Sequence, residues 1–221
     1  VNSVVSQGIP YFAAARNSAD HGYLSTFRGV NATITGVSPT QGRYMNFNGG
    51  SGAVVKQLPI TTSGNNASII FQFDQPFATQ QPVGTGNAVT SNVQIFILDA
   101  SGAVVASGAD DTTATQQPWQ AVTIPTAGTY TVVIKVVSGA DPGHVQMVEW
   151  NSNVTFSQAL GSAGGTYFAS SAGHSTAVNT IGVAATPWWA PSPFLNQQPL
   201  ASEPFSSFGP GIYVRDSLGN L

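Results

Sequence analysis

Gly173-His174-Ser175-Thr176-Ala177 sets a potential nucleophile beside a potential base. Acyl transfer would need that serine on a strand-to-helix elbow, with the imidazole facing its hydroxyl. A β-strand follows within a few residues instead, and chain neighbours seldom aim a ring nitrogen at the adjacent Oγ. The segment therefore reads as a structural histidine in a loop. His21 and His144 stand alone, without His-x₃-His or carboxylate-rich spacing, and predict no zinc site. Asp99, Asp110 and Asp111 fall in or near one hairpin, with Asp74 as a candidate neighbour. Such oxygen clusters suit calcium, but there is no EF-hand loop or Gly-Asp repeat, and a solvated turn is the competing reading. No other cofactor is expected. Trp119, Trp150, Trp188 and Trp189 could form a sugar-stacking platform. Trp119 and Trp150 fall in predicted strands, where a core position is the commoner fate, whereas Trp188-Trp189 lies in a Pro-rich loop.

Composition narrows the field. The 221 residues carry 6 basic and 9 acidic side chains, 7% in all, for a net charge of −3. Typical domains hold about a quarter charged residues, and here 73 Ser, Thr, Asn and Gln make the polar surface instead. No basic cluster exists to neutralise phosphates, which argues against nucleic-acid binding. No apolar run approaches the ~20 residues of a membrane span. Cysteine is absent, which removes disulfides, thiol nucleophiles and thiolate metal sites. The Lys-poor, Asn/Thr/Ser/Gly-rich composition suggests an extracytoplasmic, secreted or cell-surface location.

The elements that must position these residues change character along the chain. Apolar residues at 1, 4 and 5, stopped by Gly8, suit the end of an amphipathic helix. Residues 9–15 then read as a continuously apolar strand, buried on both faces as in a parallel sheet. From about residue 31 the pattern becomes all-β. Segments 67–73, 93–98, 103–107, 119–124, 129–137 and 144–150 alternate or run apolar between turns, which predicts an antiparallel sandwich or jelly roll. The α/β character returns after Gly161, with a second small, buried-looking strand at 180–185. Residues 188–200 read as an extended loop. The expected fold is thus mainly β: an antiparallel β-sandwich or jelly-roll insert (31–159) between two pieces of a partial parallel-sheet α/β segment (1–30 and 160–221).

Three blocks in the flanks carry a family pattern. Gly8-Ile9-Pro10-Tyr11-Phe12-Ala13-Ala14-Ala15-Arg16-Asn17 resembles the strand of subtilisin-like serine proteases that runs into an Ala-Ala-Gly-Asn turn. Gly173-His174-Ser175-Thr176-Ala177 through Ile181-Gly182-Val183-Ala184-Ala185 looks like the next parallel strand, and Glu203-Pro204-Phe205-Ser206-Ser207-Phe208-Gly209-Pro210 is similar to the family's Phe-Ser-Ser-x-Gly-Pro block. They occur in the family's order. Within the insert, Phe71-Gln72-Phe73-Asp74, Ile95-Phe96-Ile97-Leu98-Asp99-Ala100-Ser101-Gly102 and Gly128-Thr129-Tyr130-Thr131-Val132-Val133-Ile134 resemble the pre-peptidase C-terminal type of sandwich.

The resemblance implies a serine endopeptidase using Asp, His and Ser in that chain order. It places Asp and His upstream of Val1 and a Gly-Thr-Ser nucleophile beyond Leu221; no Gly-Thr-Ser occurs in these residues. It gives Asn17 the role of oxyanion-hole donor, the alternative being an asparagine that caps a turn. Arg16 stands where the family usually has Gly, in a turn that calls for a Gly conformation. The chain alone is expected to be inactive. Its implied partners are the remainder of the protease chain, protein or peptide substrates, and further copies of itself through exposed sheet edges. The insert would modulate substrate access or bind a partner. The competing reading is a non-catalytic carbohydrate- or surface-binding sandwich.

Overall fold

The computed structural model describes residues 1–49, 52–80, 85–151, 153–157, 168–177, 179–187, 201–209 and 211–212. In chain order the strands are β1 (Tyr11–Ala14), β2 (Gly22–Thr26), β3 (Gly29–Thr33), β4 (Gln41–Met45), β5 (Leu58–Thr62) and β6 (Ala67–Phe73). They continue as β7 (Asn92–Leu98), β8 (Val104–Gly108), β9 (Trp119–Ile124), β10 (Gly128–Ser138), β11 (His144–Glu149), β12 (Val154–Phe156) and β13 (Thr180–Val183). Two single-turn α-helices, α1 (Asn2–Val5) and α2 (Thr112–Thr115), and two 3-10 turns, Ala78–Gln80 and Gly173–Thr176, accompany them.

Side-chain alternation builds the sandwich. In β6, Ala67, Ile69, Phe71 and Phe73 point inward and are fully buried. Val145 and Met147 of β11 and Val122 and Ile124 of β9 share that face. These strands form a four-stranded antiparallel sheet in the order β2-β11-β6-β9. Opposite it, β10 is the axis of a seven-stranded sheet. One edge of β10 pairs with β7, which pairs on with β8. Its other edge pairs first with β5 and then with β4, which lead to β12 and β3. Tyr130, Val132, Ile134 and Val136 of β10 face the four-stranded sheet and close one core. A smaller cluster of Ile34, Val37, Tyr44, Phe96, Leu98 and Val133 covers the outer side of the larger sheet. That second layer explains why β7 reads as continuously apolar: both of its faces are buried.

The six strands expected between 67 and 150 all form. β2, β3, β4, β5 and β12 also form without having been singled out. Gly42 and Pro59 interrupt the apolar pattern of β4 and β5, and β12 has only three residues.

β1 and β13 make a separate two-stranded parallel sheet, in register Tyr11↔Thr180 through Ala14↔Val183. Here one expectation is corrected. The apolar runs predicted strands buried on both faces, yet Phe12 is 61% exposed, Ile181 48% and Val183 46%. An apolar run marks a strand able to be buried; whether a layer covers it depends on the rest of the assembly. The helix end is as expected: Gly8, at φ 77°, donates its N–H to Val5 O at 2.9 Å. The sandwich sheet itself begins at Gly22, within the 1–30 segment.

Candidate functional site

The parallel pair ends in a turn, residues 15–19, held almost wholly by the second flank. Ala15 N donates to Val183 O at 2.9 Å and Ser207 N to Arg16 O at 3.1 Å. Ser18 N donates to Ser207 Oγ at 2.9 Å, and Ala19 N to Phe205 O at 3.0 Å. Ser171 Oγ donates to Ala15 O at 3.2 Å, and Ser170 Oγ to Ala19 O. Arg16 takes φ 80°, the left-handed conformation that a Gly adopts without cost.

Asn17 projects from this turn and is exposed. Among the described residues its side chain makes no hydrogen bond. It lines a cavity of about 440 Å³ whose walls include Phe12, Ala15, Val183, Ala185 and Ser206. A second, more polar cavity of about 280 Å³ has hydroxyls from Ser171, Ser175, Thr176, Thr180 and Ser207. A largely apolar recess, lined also by Arg16 and with the Asn17 amide at its rim, can hold a side chain and donate one hydrogen bond. By itself it cannot move a proton at neutral pH.

The other candidate residues do not converge. His174 lies edge-on to Tyr11, centroids 6.3 Å apart, and Ser175 Oγ donates to Ala172 O at 3.1 Å. Neighbours in sequence, they are not paired with each other. His144 Nδ1 sits 3.1 Å from Asp74 Oδ2, and the same carboxylate accepts from Gly143 N and His144 N at 2.9 and 2.7 Å. His21 lies 3.9 Å from Glu149 Oε1 and 3.8 Å from Asp20 Oδ1.

The aspartates serve separate turns. Asp99 accepts from Ser101 Oγ, Ser101 N and Ala103 N at 2.6, 2.9 and 3.0 Å. The Ser101 hydroxyl first, then the Ala103 N–H, hold its carboxyl below the usual range. Asp111 caps α2, accepting from Thr113 Oγ1 at 2.6 Å and Thr113 N at 2.9 Å; the Thr113 hydroxyl lowers its pKa most. Asp110 contributes its backbone O, which accepts from Gln120 Nε2 at 2.7 Å. Among the described residues no three His, Cys, Asp or Glu side chains gather as a metal site.

The tryptophans differ from their expected core positions. Trp150 is 66% exposed and Trp119 36%. Trp150 lies one residue past β11, and among the described residues no second layer covers Trp119 on the outward face of β9. Trp188-Trp189 and the loop to residue 200 lie outside the described residues.

Two features had not been anticipated. The serine doublets 170–171 and 206–207 thread the turn's backbone groups together, a use for which paired small hydroxyls at a chain crossing are the sequence signal. Gln146 of β11 joins flank to sandwich. Its Nε2 donates to Ala169 O and Ser171 O at 3.1 and 3.0 Å, and its Oε1 accepts from Ile212 N at 3.2 Å.

Together these features define a mainly β chain, a two-sheet antiparallel sandwich packed against a small parallel sheet that ends in an amide-bearing turn. No family model and no curated protein matches the chain. Among solved structures it is similar to the CspB protease of Clostridium perfringens, with a TM-score of 0.42 and 13% identity over 90% of this chain and 38% of that one. It therefore spans well under half the length of that neighbour. No described helix is long and apolar enough to cross a membrane.

Proposed function

We propose that the chain is an internal region of a subtilisin-like serine endopeptidase, with the sandwich inserted between consecutive strands of the parallel catalytic sheet. The reading rests on the parallel register of β1 with β13, which leads into left-handed Arg16 and the free amide of Asn17 beside the 440 Å³ cavity. In this reading Asn17 Nδ2 donates to the oxyanion of the tetrahedral intermediate. The negative charge develops only as the carbonyl is attacked, so a donor already in place favours the transition state over the substrate. The apolar recess receives a substrate side chain next to the scissile bond. Nucleophile, base and orienting carboxylate come from other parts of the protein, as does the layer over Phe12 and Val183. The protein works outside the cytoplasm on protein or peptide substrates, and the sandwich limits which of them reach the cleft.

The test is made on the full-length protein with a fluorophosphonate probe and a peptide substrate. The expected result is labelling of one serine, and a fall of about 10²–10³ in kcat for Asn17→Ala with KM little changed. Absence of labelling and cleavage, or an unchanged kcat in Asn17→Ala, overturns the proposal. Excision of the sandwich is expected to alter cleavage of folded proteins more than of short peptides; equal effects overturn its gating role.

A further inference from the structure

Within the 15–19 turn, one side chain reaches away from the second flank toward the sandwich. The Arg16 guanidinium lies 5.3 Å from the centre of the Trp150 ring, and its Nη2 donates to Glu149 O at 3.4 Å. Both partners stand at the end of β11, where Glu149 N in turn donates to His21 O at 3.3 Å. Arg16 is also the residue in the turn with φ 80°, a conformation disfavoured for any side chain with a Cβ. A glycine would hold this turn unaided. The Arg16 carbonyl is held by Ser207 N of the second flank, whereas the side chain makes its contacts with the inserted domain.

We infer that Trp150, with the Glu149 carbonyl, is a positioning site through which the sandwich clamps Arg16 and so sets the direction of the adjacent Asn17 amide. The inference rests on the oxyanion reading of Asn17 for its catalytic half; the clamp stands on the contacts alone. It explains two oddities together. The side-chain contacts offset part of the cost of a left-handed arginine, and they give a tryptophan that is 66% exposed a partner for its ring. It makes the insert part of the catalytic geometry as well as a gate. A planar guanidinium can stack on the indole and donate to a carbonyl at once, which a lysine ammonium does less well.

The test has two arms. In the 221-residue chain, Trp150→Ala removes an exposed ring and leaves residue 16 intact. Hydrogen exchange across residues 15–19 is expected to quicken by about tenfold or more, with β6 unchanged as the internal control. Trp150→Phe, which keeps an aromatic face, is expected to restore most of the protection. Unchanged exchange at 15–19 in Trp150→Ala, or equal effects of Ala and Phe, overturns the clamp. In the full-length protein, Trp150→Ala is expected to lower kcat about tenfold while KM stays within twofold, since a displaced donor costs transition-state stabilisation and not substrate binding. An unchanged kcat overturns the positioning role. If the full-length protein has no peptidase activity, the oxyanion reading and the catalytic half fall together, and the exchange arm still decides the clamp.

Discussion

Ser18 donates its backbone N–H to the Oγ of Ser207 at 2.9 Å, a buried hydrogen bond between residues 189 positions apart. It ties the first flank to the second at the turn that carries Asn17. Ser207→Ala leaves the Ser18 N–H buried without this acceptor. The expected cost is about 1–3 kcal/mol, the penalty for a stranded buried donor. Urea unfolding of the variant beside Ser107→Ala, at an exposed position of β8, measures it.

Gln146 and Gly22 hold the second flank on the four-stranded sheet. Gln146→Leu keeps the volume but strands the carbonyls of Ala169 and Ser171 and the N–H of Ile212. At Gly22 an added Cβ would collide with the carbonyl of Ala169, which is backbone and can only move away. Both Gln146→Leu and Gly22→Ala are therefore expected to release residues 168–171. Limited proteolysis should then cut in that segment while the sandwich stays intact.

Acid should weaken the chain through two turns. The carboxyls of Asp99 and Asp111 titrate below their ordinary value in the folded state, because hydroxyl and backbone donors stabilise the ionised form. The unfolded chain takes up these protons first, near the ordinary carboxylate value of about 3.9. Their stabilising contribution is therefore complete above about pH 4 and is lost as pH falls through the lower folded values. The Asp99→Asn, Asp111→Asn double variant keeps oxygen acceptors that do not titrate. Its thermal midpoint is expected to fall less than the parent's between about pH 4 and pH 2.

The sandwich was legible because β6, β9 and β10 obey a two-residue period, and because Asp99-Ala100-Ser101-Gly102 and Pro125-Thr126-Ala127-Gly128 spell their turns. The small parallel sheet was legible as apolar runs, but its exposure was not, since Phe12 looks the same covered or bare. Asn17 could be named through resemblance alone. Its free amide, the left-handed Arg16 and the reach of that arginine to Trp150 depend on backbone angles and on a contact across 134 positions, which no local pattern encodes. The serine doublets were visible as residues, but which carbonyls they would meet was not.

The contrast between the two kinds of strand gives the last prediction. Phe71, in the middle of β6, is fully buried and packs against Phe73 with ring centroids 6.2 Å apart. Phe12, in the middle of β1, is 61% exposed. Phe71→Ala removes buried ring volume from a dense core and is expected to cost about 3–5 kcal/mol. Phe12→Ala removes atoms already in water and is expected to change the stability of the 221-residue chain by no more than about 0.5 kcal/mol. Chemical denaturation of both variants measures the difference. If the chain is part of a longer protease, as proposed, and another part of it covers β1, the two should converge there, because Phe12 would then have a layer to lose. A Phe12→Ala variant that remains neutral there would show that the apolar face of β1 stays in solvent, and would count against a completed parallel sheet around it.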